Sequence, residues 1–206
     1  AWSDGLAFQD LLFAQSLGIA HDAVKRLASD LPAGPTGMQP SACFGGHDYR
    51  EILPRVSFFE AYDIGGARDL ALSFRNPGTP CVETVFPPGK DDPLRTPAHK
   101  WATALAHGAS GVIVWSSREV ESRPRYREVL QETGESLRAA AKAFAGATLG
   151  YDRVWLIESR PSTFAWWMFD SQIDGDTWTE RLTSYESQHG TSLRARLGWL
   201  QLLNDC

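Results

Sequence analysis

The chain has 206 residues, 43% of them hydrophobic and 22% charged, with a formal net charge of −5 at pH 7. This describes an ordinary globular protein, long enough for one large domain or one and a half smaller ones. The acidic balance and the scattering of Lys and Arg argue against a nucleic-acid partner, which wants a basic patch.

The three cysteines, Cys43, Cys81 and Cys206, are far apart and form no CxxC pair. Neither a disulfide framework nor a zinc site is therefore expected, and Cys81 reads as a small buried hydrophobe. Asp91-Asp92 reads as a solvated loop, and Asp170, Asp174 and Asp176 do not follow a calcium-loop pattern. No cofactor and no metal is expected. No apolar run approaches the roughly 20 residues of a membrane span, so no membrane partner is expected either. Nothing at the start resembles a signal peptide, which says little of a chain whose ends are expected to be cut; the compartment is left open, with a cytoplasmic setting favoured.

Periodicity predicts alternating helices and strands. Asp4 is placed to cap a helix with an apolar stripe of Phe13, Leu17, Ala20, Val24, Leu27 and Leu31, stopped by Pro32-Ala33-Gly34-Pro35. A short strand follows at 36–39, a loop at 41–46, a helical turn at 49–53 and a second strand at 56–62. Residues Ala67 to Phe74 read as a helix closed by Asn76-Pro77-Gly78.

The third strand is Pro80-Cys81-Val82-Glu83-Thr84-Val85-Phe86, ended by Pro87-Pro88-Gly89. Pro97 opens a helix running to His107-Gly108. The fourth strand is Gly111 to Trp115, and a long helix covers Arg125 to Phe144 with Tyr126, Leu130, Thr133, Leu137, Ala140 and Phe144 on one face. Strands spaced two to three dozen residues apart, each followed by a helix, are the rhythm of a parallel α/β sheet. Four such units make half of a closed eight-stranded barrel.

Gly146-Ala147-Thr148-Leu149-Gly150 reads as a domain boundary. Beyond it a strand is expected at Arg153 to Ile157, then a polar, Trp-rich loop from Ser159 to Gly190. A helix carrying Leu193, Leu197, Leu200 and Leu203 closes the chain. One βα unit cannot bury its own apolar face, so both ends are expected to be cut from a longer protein.

Gly108-Ala109-Ser110-Gly111-Val112-Ile113-Val114-Trp115 resembles the eighth barrel strand of glycoside hydrolase family 42 β-galactosidases. Pro80-Cys81-Val82-Glu83 resembles their seventh strand, and Arg153 to Ile157 with the Leu193-Arg194-Ala195-Arg196-Leu197-Gly198 helix is similar to the start of their flavodoxin-like trimerisation domain. The resemblance implies that 1–148 is the second half of a TIM barrel, strands five to eight. Residues 151–206 would then begin the second domain.

It also implies a hydrolase of terminal β-D-galactosides and a parent enzyme that is a homo-oligomer such as a trimer. Such retaining glycosidases use two carboxyl groups about 5–5.5 Å apart, one a nucleophile and the other an acid/base. The resemblance gives Glu83 the nucleophile's role. The acid/base would lie upstream of Ala1, so the fragment alone is expected to be inactive.

On residues alone, Glu83 reads either as catalytic or as a structural strand-end carboxylate paired with an Arg. Glu60 reads as a ligand of a sugar hydroxyl or as half of a buried ion pair. Tyr62 reads as a donor to the nucleophile or a rim aromatic, and Trp115 as a platform for the galactose ring or as packing. His47, His99 and His107 read as surface or helix-end residues. Phe164, Trp166, Trp167 and Phe169 read as core or subunit interface.

The pocket requires Glu83 to face away from the helices, and a one-residue slip in register would reverse that. The alternatives are another retaining barrel glycosidase with different sugar specificity, or a noncatalytic carbohydrate-binding or assembly protein.

Overall fold

A computed structural model describes residues 1–39, 41–44, 46–62, 64, 66–89, 96–143, 147, 150, 155–174 and 191–204. Asp91-Asp92, Arg153, Val154, Asp176, Cys206 and the expected loop from residue 175 onward lie outside these residues. The elements are α1 (Trp2–Leu27), α2 (Tyr49–Ile52), β1 (Phe59–Tyr62), α3 (Ala67–Phe74), β2 (Cys81–Val85), α4 (Thr96–Ala106), β3 (Gly111–Val114), α5 (Ser117–Ser122), α6 (Pro124–Ala143), α7 (Arg160–Asp174) and α8 (Thr191–Asn204).

The fold is mixed α/β, with one three-stranded parallel sheet in the order β1-β2-β3. Consecutive parallel strands need a crossover, which α3 and α4 supply. At the expected first strand, Met38 makes an isolated parallel bridge to Ala61: Met38 N–H donates to Glu60 O and Tyr62 N–H to Met38 O, each at 3.2 Å. Three strands and one bridge do not close a barrel.

By compactness the chain forms two units, residues 1–81 with 154–206, and residues 82–153. This division differs from the expected one, in which 1–148 stood apart from 151–206.

The first unit has two apolar clusters. One gathers Met38, Tyr49, Ile52, Leu53, Phe59, Ala61, Leu70, Ala71 and Cys81. Tyr49 anchors it, meeting Phe59 edge-on at 4.9 Å and donating its hydroxyl to Gln39 O at 2.6 Å. Cys81 is a buried apolar member, as its setting in the sequence suggests.

The other cluster gathers Leu6, Cys43, Phe164 and Trp167. Of the four aromatics expected to be core or interface, Phe164 and Trp167 are core, while Trp166 and Phe169 are exposed and meet edge-on at 6.1 Å.

In the second unit Val85, Trp101, Tyr126 and Leu130 are buried together, with Val112, Val114, Val120 and Leu137 against them. The expected stripe Tyr126, Leu130, Thr133, Leu137 is the inward face of α6.

Three local expectations are corrected. The stripe of α1 holds only in its first half, where Leu6, Ala14, Phe13 and Leu17 reach the core; Leu27 and Leu31 are exposed. Trp155, Leu156 and Ile157 belong to no described strand and are exposed.

Residues 160–174 are the helix α7 rather than loop. Ser159 caps it, accepting from Ser162 N–H at 3.3 Å, and Pro161 sits in its first turn, where the missing N–H costs nothing. Arg160, Thr163, Phe164, Trp167 and Asp170 are its buried stripe at helical spacing. The polar members of that stripe disguise it as loop.

Candidate functional site

Strand alternation decides which residues face which way. In β1, Phe59 and Ala61 are fully buried in the first unit's core, so Glu60 and Tyr62 occupy the opposite face. Gly37 N–H donates to Glu60 Oε2. A Cβ on Gly37 would stand 3.1 Å from the Tyr62 hydroxyl, and its φ of +70° is a conformation glycine adopts freely. Glu60, Tyr62 and Gly37 therefore come together on the uncored face of β1. Glu60 is only 4% exposed, so its carboxylate depends on contacts such as the Gly37 amide for the solvation it has lost.

In the second unit, β2 and β3 run in continuous register: Val82 with Gly111, Glu83 with Val112, Thr84 with Ile113 and Val85 with Val114. The ladder extends through Trp115 N–H to Val85 O at 3.1 Å. No bulge interrupts it, so side chains alternate strictly. Val85, Val112 and Val114 pack on Trp101, Tyr126 and Leu130 from α4 and α6. Glu83 is two residues from Val85 and opposite Val112, so it shares this helix-covered face, 1% exposed.

Ile113 and Trp115 fall on the other face and are exposed, Trp115 by 53%. The Trp115–Ser116 peptide is cis. The expected pocket needed Glu83 on the face of Trp115, and alternation places them on opposite faces.

A further polar assembly in the first unit was not anticipated. Arg160 donates from Nε and Nη2 to Asp10 Oδ2 at 2.9 and 2.6 Å, and from Nη1 to Ser41 Oγ at 3.0 Å and to Ala42 O. Its guanidinium lies 4.8 Å from the Phe164 ring centroid. Arg196 forks onto Glu158, at 3.1 and 2.7 Å, and donates to Ser41 O at 3.1 Å. Two arginines from α7 and α8 thus tie down the segment that follows Met38.

His47 lies in the same segment. Burial first, and the Arg160 charge second, push its pKa down to about 4. Its ring meets Phe13 edge-on at 5.7 Å, and no local motif announces that contact.

No group of metal-ligating side chains occurs among the described residues, and no described helix is long and apolar enough to cross a membrane. No family model, curated protein or solved structure matches the chain.

Proposed function

We propose that the chain is the second half of a (β/α)8 barrel from a retaining, β-galactosidase-like glycoside hydrolase, followed by the start of a flavodoxin-like domain. The parent enzyme would cleave terminal β-D-galactosides through a covalent glycosyl-enzyme and assemble as a homo-oligomer. The reading rests on the resemblance of the strand motifs. Parallel strands joined by helical crossovers support it, and two consecutive strands each bury a carboxylate.

The observation that carries it furthest is Glu60, on the face of β1 away from the packed core, beside Tyr62 and held by the Gly37 amide. In a barrel the face opposite the helices is the lumen, where a nucleophile must stand. Glu60 meets this requirement and Glu83 does not. The nucleophile's role therefore passes from Glu83 to Glu60, with Tyr62 donating to its carboxylate. The acid/base would come from the first half of the barrel.

In the full-length enzyme, Glu60→Gln should lower turnover of an aryl β-galactoside by orders of magnitude, with the far-UV spectrum unchanged. Azide should rescue Glu60→Ala as a sugar azide of inverted configuration. Glu83→Gln should leave turnover within about tenfold. A folded Glu83→Gln enzyme that is inactive, beside an active Glu60→Gln enzyme, reverses the assignment. Absence of any glycosidase activity in the wild-type enzyme removes the reading altogether.

A further inference from the structure

On the first unit, a groove of about 700 Å3 opens between α1 and the segment from Pro54 to Ser57, with Asn76 and Thr79 at its side. Inside it His21 Nδ1 stands 3.0 Å from Asp22 Oδ1, and His21 Nε2 stands 3.2 Å from Ser57 Oγ. The hydrogen-bonding inventory assigns the protons. Asp22 Oδ1 is an acceptor, so the tautomer that serves both contacts has its hydrogen on Nδ1 and leaves Nε2 to accept from Ser57. Ser57 Oγ already accepts from Ala33 N–H at 3.0 Å. Its own hydrogen has His21 Nε2 as its nearer acceptor, at 3.2 Å against 3.4 Å for Ala33 O. A hydroxyl, a neutral imidazole and a carboxylate stand in the order that activates a serine nucleophile.

We propose that this groove is a second reactive site, in which Ser57 is a nucleophile towards short-chain carboxylic esters, His21 its general base and Asp22 the group that orients the imidazole. Ser57 Oγ bonds to the acyl carbon as its proton passes to His21 Nε2. The carbon–oxygen bond to the alcohol then breaks, and the alkoxide leaves with that proton. Water, deprotonated by the same nitrogen, attacks the acyl-serine, releasing the carboxylic acid and restoring the Ser57 hydroxyl. One ester and one water thus give one acid and one alcohol.

Lys25 and Arg55 line the same groove, Lys25 donating to Ser29 O and Arg55 to Glu51, and their charges favour an anion forming within it. With His21, Asp22, Asn76 and Thr79 they line part of the wall, and Ile19, Pro54 and Val56 supply an apolar part, which suits an ester of a polar alcohol with a small acyl group. The site is independent of the glycosidase reading, since it uses none of Glu60, Tyr62, Glu83 or Trp115.

The test treats the full chain with a fluorophosphonate probe and maps the adduct by peptide mass spectrometry. Serine displaces fluoride from phosphorus, so the adduct marks the activated hydroxyl. Ser57 should be the modified residue, and p-nitrophenyl acetate should be hydrolysed with loss of activity as Ser57 is labelled. His21→Gln offers Ser57 a hydrogen-bonding side chain but no base, and should label on the order of 100-fold more slowly.

Asp22→Asn, whose side chain is 70% exposed, spares the fold and should label several-fold more slowly, because water already screens that carboxylate. Labelling elsewhere, no labelling, or a folded His21→Gln chain that labels at the wild-type rate would each overturn the proposal. If His21→Gln does not fold, an Asp22→Asn rate equal to wild type overturns it.

Discussion

The pair Arg160–Asp10 shows how much a buried charge depends on its partner. Although the guanidinium is at 2.6 Å, the Asp10 carboxyl is raised above the usual range, because burial outweighs the attraction of Arg160. A buried ion pair of this kind adds little net stability, yet removing one partner strands the other. Arg160→Met should cost about 3–5 kcal/mol, measured by urea denaturation. Arg160→Met with Asp10→Leu should recover most of that loss, since both charges leave together.

His47 yields a pH dependence. Its folded pKa is about 4, below the ordinary value of 6.5, so between those values the unfolded chain binds the proton and the folded chain resists it. His47 then has its full stabilising effect above about pH 6.5, and that effect is lost as pH falls towards 4. The loss is on the order of 3 kcal/mol at its limit. Asp10 works the opposite way, because a raised carboxyl pKa favours the folded state as pH falls. Comparing wild type with His47→Phe removes that common contribution. The stability difference between pH 7.5 and 4.5 should be smaller in the variant, and equal differences would refute the account.

At the scale of elements, β2 shows that burial does not tell which face of its strand a carboxylate occupies. Glu83, Thr84 and Val85 are all buried, and only the register with β3 and the packing of Val85 assign the faces. In β1 the same alternation places Glu60 with Tyr62, and Gly37 fits beneath them because it has no side chain. Gly37→Ala should cost about 1–2 kcal/mol for its left-handed backbone. It should also move the Tyr62 hydroxyl, so on the proposed glycosidase reading KM or kcat of the full-length protein should change beyond what the stability loss explains. Thermal denaturation and steady-state kinetics on the same preparation separate the two effects.

For the whole molecule, the chain's last quarter is the clearest departure from a simple chain-order reading. Residues 154–206 group with 1–81 rather than standing alone: Phe164 and Trp167 of α7 complete a core begun at Leu6 and Cys43, and Arg160 of α7 and Arg196 of α8 reach Ser41. The exposed Trp155 and Ile157 sit where a strand with neighbours was expected.

Local pattern determined a good deal of this protein. Apolar runs bounded by Pro and Gly marked β1, β2 and β3 to within a few residues, and helical spacing marked α3, α4, α6 and the inward face of α6. These are short-range properties, set by backbone geometry and side-chain period. The same period put Glu60 and Tyr62 on one face of their strand. Tertiary structure decided the rest. Whether the odd or the even residues of β2 meet the helices depends on which side α4 and α6 dock, and nothing within the strand records it. The Arg160–Asp10 and His21–Ser57 pairs likewise join residues 150 and 36 apart, and hydrogen bonds over such separations leave no periodic trace in the chain.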